Sequence, residues 1–355
     1  MTLRIGILDG DDIGLEVVPE CVKAMRAAAA RTGLDIDWHP LPIGRRGHEL
    51  HGNTLPDVTD VALRALDGWV MGPVGHAAYP RGDATWIMPP VRKRFELFAA
   101  LRPSRHRAPL PAVHPGVDIV FVRELSEGML DSGTVVGGYP EYRPNDDITI
   151  ASRVITRKGA NRVAREAFEL ARTRTRRKVT AAHKEPVYRL ACGMFAEECR
   201  KVAAEYPDVA FEEAMIDTIA MKLVMAPQQY DVVVTTNQFG DILSDIGAGL
   251  VGGLGLAPGL CVGATQAMAQ ATHGSAPDIA GRGIANPYAM IMSGQMLLAW
   301  LGRKKSEPAA TAAAGLIEAA VGRVIGAGRV LTPDLGGTAS TRAMGDAVAE
   351  AIGTA

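Results

Sequence analysis

The chain opens without a Rossmann fingerprint. After the first predicted strand, Gly10-Asp11-Asp12-Ile13-Gly14 lacks the G-x-G-x-x-G spacing that seats a pyrophosphate on a helix N-terminus. An excess of charge of one sign is also missing. Lys and Arg total 38 against 39 Asp and Glu, a formal net charge of −1, so no basic footprint for nucleic acid is expected. The run Arg172-Thr173-Arg174-Thr175-Arg176-Arg177-Lys178 lies between a helical and a strand pattern and reads as a solvated helix end. The cysteines Cys21, Cys192, Cys199 and Cys261 form no C-x-x-C pair. That excludes the usual zinc and thioredoxin-like motifs and leaves reduced thiols of a cytoplasmic protein as the expectation. Met1 leads directly into a strand, leaving no room for a signal peptide. Residues 247–272 carry no charge, which superficially suits a membrane span. Seven glycines and Pro258 interrupt the segment, so it reads as a buried glycine-rich passage near a ligand.

What is present bounds the fold. The 355 residues are 47% hydrophobic, enough to bury a sizeable core in two domains or one large α/β unit. Strand patterns recur at 3–8, 69–71, 117–122, 178–182 and 231–236. Helical patterns fall between and after them, at 16–31, 159–172, 193–206, 217–225, 287–301 and 309–325. Such alternation argues for α/β layers. Residues 131–153 differ, being rich in Gly, Pro, Tyr and β-branched residues, like a protruding hairpin.

The most informative stretch is Thr235-Thr236-Asn237-Gln238-Phe239-Gly240-Asp241-Ile242-Leu243-Ser244-Asp245. The β-branched run before it predicts a buried strand, and a helix is predicted from Asp241. Asp241 and Asp245 then lie one turn apart on one helix face. Like charges at that spacing repel. They suit a cation between them, and an oxygen-only ligand set favours Mg²⁺ or Mn²⁺ over zinc. A solvated acidic helix start, favoured by the helix dipole, is the alternative that spacing alone leaves open.

Other segments join this one. Asp217 interrupts the apolar pattern Met215-Ile216-Asp217-Thr218-Ile219-Ala220-Met221, and Lys184 ends a strand pattern. Further on come His273-Gly274-Ser275-Ala276-Pro277-Asp278-Ile279-Ala280-Gly281 and Gly283-Ile284-Ala285-Asn286-Pro287. With the Asn237–Asp245 motif these closely resemble the β-decarboxylating dehydrogenases, the family of isopropylmalate, isocitrate, homoisocitrate and tartrate/D-malate dehydrogenases. The resemblance runs from Leu3 to about Gly337.

The resemblance implies an isopropylmalate dehydrogenase-like, two-domain α/β fold with a mixed parallel/antiparallel sheet, non-Rossmann although it binds a nicotinamide cofactor. One domain comprises both termini (1–96 and 256–355) and carries the cofactor. The other (97–255) is central, serves substrate and dimerisation, and bears an arm at about 131–153 exchanged between subunits. It further implies that Arg92, Arg102 and Arg123 clamp a dicarboxylate substrate, a task suited to planar guanidinium forks. Asp217, Asp241 and Asp245 would hold Mg²⁺ or Mn²⁺, which polarises the α-hydroxy acid. Lys184 would help remove the hydroxyl proton. Lys184 and Asp217 would reach into the partner's site, making a homodimer with shared active sites. The segment His273, Gly274, Ser275, Ala276, Pro277, Asp278 and Ile279, with Asn286, would hold the adenosine half of the cofactor. An aspartate at 278 favours NAD over NADP because it repels a 2′-phosphate.

This chain departs from the family at four places. Asp12 and Leu15 stand where Gly and Pro are usual, so a changed local turn is expected. Leu130 stands where a tyrosine protonates the enolate carbon, with Tyr139 and Tyr142 further along the arm. Pro186 stands where Asn or Thr meets the nicotinamide side. Before Arg92, Ile87 and Met88 suggest an apolar pocket that leans towards an alkylmalate, a pocket that Trp86 could fill instead. The expected activity is NAD- and metal-dependent oxidative decarboxylation of a 3-substituted malate, 3-isopropylmalate being the nearest named case. Tartrate, D-malate, homoisocitrate or isocitrate chemistry is the alternative, and a catalytically impaired binding homologue is a reading of another class.

Overall fold

The computed structural model describes residues 1–75, 79, 88–130 and 141–354. In chain order the elements are β1 (Leu3–Leu8), α1 (Gly14–Thr32), β2 (Ile36–Pro40), α2 (Gly44–His51), α3 (Asp57–Leu63), β3 (Gly68–Met71), α4 (Met88–Arg94), β4 (Ala99–Arg105) and β5 (Asp118–Glu124). There follow β6 (Glu141–Asn145), β7 (Ile148–Ala151), α5 (Arg157–Arg172), β8 (Lys178–His183), α6 (Ala191–Ala204), β9 (Ala210–Met215), α7 (Ile216–Met225), β10 (Val232–Thr235) and α8 (Asn237–Val251). The chain closes with β11 (Leu260–Val262), β12 (Ala267–Ala269), α9 (Tyr288–Lys304), α10 (Pro308–Ala327) and α11 (Thr341–Gly353).

These elements form two compact units: Met1–Val91 with Arg107–Pro111 and Gly252–Ala355, and Arg92–His106 with Ala112–Val251. In the first unit the strand order is β2-β1-β3-β12-β11, parallel except for the β11–β12 pair. Helix α1 buries Val17, Val18, Cys21, Met25 and Ala28, a helical stripe, and stops at Gly33, whose φ of 68° closes it in the left-handed conformation. Helix α10 is long and apolar enough to cross a membrane. Its Ala310, Ala313, Ile317 and Val321 are buried, and it packs on α1 and α9 as a core helix of the unit.

In the second unit the order is β4-β5-β10-β8-β9, with β4 antiparallel to β5 and the rest parallel. Val117, Ile119, Phe121, Ile219, Leu223, Tyr230, Val233, Leu243 and Val251 form a core under α7 and α8. Strands β6 and β7 make a separate antiparallel pair within the predicted arm segment. Residues 131–140, with Tyr139, lie outside the described residues, as do Trp86, Ile87 and the Met88 side chain.

Two expectations need correction. Helix α8 begins at Asn237, not Asp241. The basic run is paired rather than simply solvated: Arg174 donates to Asp231 (2.6 Å) and Asp118 (2.9 Å), and Arg172 to Asp208 (2.7 Å). Asp231 is a buried carboxylate, so it draws the arginines inward. Asp12 adopts a left-handed backbone conformation, φ 51°, and its carboxylate lies 3.6 Å from Arg45. The left-handed conformation costs an L-residue about 1–2 kcal/mol, less for aspartate, so the fold holds the turn against the local preference.

Candidate active site

In the second unit, the C-terminal end of β5 and the first turns of α8 set the geometry. Arg123, 3% exposed, donates through Nε and Nη2 to Asn237 Oδ1 at 3.0 and 2.7 Å, and its Nη1 pairs with Asp241 Oδ1. Asn237 is itself fixed by donating Nδ2 to the Glu127 carbonyl at 2.8 Å. Arg102, on β4, donates to the same Asp241 oxygen at 3.0 Å and to Ser244 Oγ at 2.8 Å. Asp245 lies 3.9 Å from Arg102. Burial raises its pKa, and the neighbouring Asp241 adds to this against the pull of Arg102 and Arg123. Asp241 is the fifth residue of α8, beyond the first turn, so the helix dipole does not account for the acidic pair. Both carboxylates remain partly exposed, an oxygen-only donor set suited to a hard divalent cation. Arg92 Nε is buried without a hydrogen-bond partner among the described residues, as a donor awaiting an anion is.

A second cluster stands at the ends of β8 and β9. Lys184 Nζ lies 2.7 Å from Asp217 Oδ1, and this hydrogen bond lowers the Asp217 pKa. No ion pair joins Lys184 or Asp217 to Asp241 or Asp245 among the described residues. Among the described residues the ligand atoms of Asp217, Asp241 and Asp245 do not form a group within 4.8 Å of one another. Beside Lys184, ligand atoms of His183, Glu185 and Glu213 lie within 4.8 Å of one another. Arg200 already bridges those carboxylates, donating to Glu213 at 2.7 and 2.8 Å and to Glu185 at 2.7 Å. A divalent cation there would have to displace it.

Sequence reading passed over Arg153. Its guanidinium lies 4.6 Å from the Phe239 ring and 5.3 Å from that of Tyr188, and it donates to Thr236 Oγ1 at 3.1 Å. It thus ties the loop after Lys184 to the start of α8. Nothing in its local sequence distinguishes it from a surface arginine. Leu130 is exposed and offers no proton.

In the first unit the 273–286 segment is pinned to the opening turn: Ile13 N–H donates to the Ser275 carbonyl at 3.2 Å, and Gly281 N–H to Glu16 Oε1 at 2.6 Å. His273 Nε2 is buried with no partner among the described residues, and burial lowers the histidine's pKa, which favours a neutral ring. Asp278 is exposed, with no side-chain hydrogen bond or ion pair among the described residues. These features fit a nucleoside that brings its own hydroxyls. Asn286 is turned inward, its Nδ2 on Asp334 at 2.9 Å and its Oδ1 accepting from Tyr288 N–H at 2.9 Å. Those bonds cap α9.

Residues 4–348 match the family model of the isocitrate/isopropylmalate dehydrogenases. The chain belongs to that family. It is 39% identical over 352 residues to the isocitrate/homoisocitrate dehydrogenase of Thermus thermophilus, covering 99% of each chain. It is 40% identical over 349 residues to the 3-isopropylmalate dehydrogenase of Archaeoglobus fulgidus, covering 98% of this chain and 99% of the other. The crystal structure of isocitrate dehydrogenase from Methylococcus capsulatus superposes with a TM-score of 0.86 at 38% identity and covers 99% of both chains. The family consists of decarboxylating dehydrogenases of hydroxy acids that use NAD and Mg²⁺ or Mn²⁺. The relatives differ in substrate, so membership fixes the reaction class and not the hydroxy acid.

Proposed function

We propose that this chain oxidatively decarboxylates a 3-substituted malate, with 3-isopropylmalate as the nearest named substrate, in the cytoplasm. The supporting observation is the Arg102–Asp241–Arg123 cluster, where two guanidiniums and a carboxylate pair converge. Arg102 and Arg123, joined by Arg92, hold the substrate carboxylates. Their planar donors fix the C2 hydroxyl in place before any bond changes. Asp241 and Asp245, with Asp217 from a partner subunit, hold Mg²⁺ or Mn²⁺. Lys184, also from the partner, takes the hydroxyl proton. NAD supplies the hydride acceptor and the metal a Lewis acid. His273 to Ile279, with Asn286, lie along the adenosine half of NAD, with Asp278 at the ribose.

A homodimer is part of this reading. That the ligand atoms of Asp217, Asp241 and Asp245 are not grouped within 4.8 Å of one another in one chain, among the described residues, supports it. So do the exposed Met221, Val224 and Met225 of α7 and Ile242 of α8, apolar surface that a second copy would cover. The terminal segments form the cofactor domain, the central residues the substrate domain, and 131–153 the exchanged arm.

The test is NADH formation with Mn²⁺ over isopropylmalate, malates, tartrates, homoisocitrate and isocitrate, with chain mass measured in solution. Turnover greatest on isopropylmalate is expected. Greatest turnover on a tartrate, D-malate or tricarboxylate reassigns the substrate. No turnover with NAD still bound rejects the enzyme reading in favour of a binding homologue.

A further inference from the structure

We infer that His183, Glu213 and Arg200 are positioning residues for Lys184, a frame that fixes the path of the Lys184 peptide. The inference rests on the proposed role of Lys184. His183 immediately precedes it, and its ring is buried. The Glu185 N–H donates to His183 Nδ1 at 3.3 Å. That nitrogen is therefore the acceptor, and the ring proton sits on Nε2. Nε2 lies 2.9 Å from Glu213 Oε2 and donates to it. Imidazole thus links the amide just after Lys184 to β9.

Arg200, on α6, closes the frame from the other side. One guanidinium nitrogen reaches both Glu185 Oε2 and Glu213 Oε2, and its Nε reaches Glu213 Oε1. Burial raises the Glu213 pKa, but the hydrogen bonds from Arg200 and His183 outweigh it, and the net shift is downward. Glu213 is therefore a firm anionic anchor. Strand β9 carries Glu213 and ends at Met215, two residues before Asp217, which takes the Lys184 ammonium at 2.7 Å. The residues on both sides of Lys184 and the acid it faces are thus held to one strand. The frame also accommodates the proline at 186. The amide it uses is that of Glu185, and the Lys184 carbonyl accepts from Val187 and Tyr188 at 3.1 and 2.9 Å, so no N–H is required of residue 186.

The contacts make a specific pattern of losses. His183→Phe keeps the ring volume and removes both bonds. His183→Asn restores an acceptor near the Nδ1 position. Glu213→Gln is the mild variant, keeping an acceptor and removing the charge. Each is measured as the full chain with Lys184→Met beside it, for kcat, KM and amide hydrogen exchange at Glu185. His183→Phe is expected to lower kcat about 10–100-fold, as small misplacements of a reacting group do. KM should move less than about threefold because the arginines are untouched. Exchange protection at Glu185 should fall, and His183→Asn should recover part of both losses. If Lys184→Met abolishes turnover while His183→Phe and Glu213→Gln keep wild-type kcat, the frame is wrong and the Lys184 assignment stands. If Lys184→Met is fully active, the assignment itself fails, and the inference with it. Unchanged Glu185 protection in His183→Phe overturns the frame whatever the turnover. A chain destabilised by His183→Phe leaves the decision to Glu213→Gln, for which a lower kcat at constant KM supports the frame and a wild-type kcat rejects it.

Discussion

Gly240 lies against Arg123 with no room for a side chain: a Cβ at 240 would sit 2.7 Å from both Cβ and Cγ of Arg123. Gly240 is inside a helix, where alanine is intrinsically better by about 1 kcal/mol. The contact reverses that preference. Overpacking costs about 1–3 kcal/mol, and the atoms that must move belong to an arginine held by Asn237 and Asp241. Gly240→Ala is expected to lower the melting temperature and raise KM for the hydroxy acid. A variant as stable and as tight-binding as wild type would show that Arg123 is free to shift.

Asp241 takes both arginines on one oxygen. Asp241→Asn keeps the shape, removes the charge and places an N–H among cationic donors. Metal-dependent turnover is expected to fall by about 10²–10³-fold or more. Circular dichroism should be unchanged, since Asp241 is only half-buried. Normal activity across a Mn²⁺ titration would remove Asp241 from the site.

Strong periodic signals made much of this legible. The β-branched run of β10, the apolar stripe of α1 and the acid pair of α8 each stand out in sequence. The Asn237–Asp245 motif and the 273–287 segment carried the family. Short elements were missed. Strand β9, Ala-Phe-Glu-Glu-Ala-Met, has two acids in its middle, whose partners are supplied by other elements: Thr180 and Lys178 for Glu212, His183 and Arg200 for Glu213. Helix α8 starts four residues early because Asn237 is held by Arg123 and Glu127, contacts that no local pattern encodes. Arg153 and the His183 frame depend likewise on long-range partners.

Asp278 is expected to set cofactor choice. The exposed carboxylate has no partner among the described residues, so a 2′-phosphate beside it would meet its negative charge. NAD should be preferred over NADP in kcat/KM, and Asp278→Lys with Ile279→Tyr should narrow or invert the ratio. Equal use of the two by wild type would mean that Asp278 faces elsewhere.

Glu124 makes stability depend on pH. Burial pushes its carboxyl from 4.5 up to about 7, against hydrogen bonds from Ser126. The folded pKa lies above the unfolded one, so this group's contribution is fully present below about pH 4.5 and is lost as pH rises through about 7. The span corresponds to about 3 kcal/mol. Glu124→Gln carries no such titration, although it loses an acceptor for the Glu127 N–H. Denaturant unfolding of both proteins at pH 5 and pH 8 should therefore show the variant gaining on wild type as pH rises. A constant difference would mean that Glu124 is already ionised at pH 5.

Leu130 should separate hydride transfer from the later proton transfer. It is exposed and apolar where the family places a proton donor. Lys184, Asp217, Asp241, Asp245 and the arginines are all present for the first step. The enol left by CO₂ loss must take its proton from water or a borrowed group, and general-acid help is usually worth about 10²–10⁴-fold. NADH is therefore expected to appear faster than the final keto acid in wild type. Leu130→Tyr should speed product release more than hydride transfer, its phenol adding a donor that leucine lacks. Recording NADH absorbance and CO₂ evolution in parallel, with the keto acid followed by NMR, tests this. If all products form at one rate in wild type and Leu130→Tyr accelerates none of them, another residue supplies the proton.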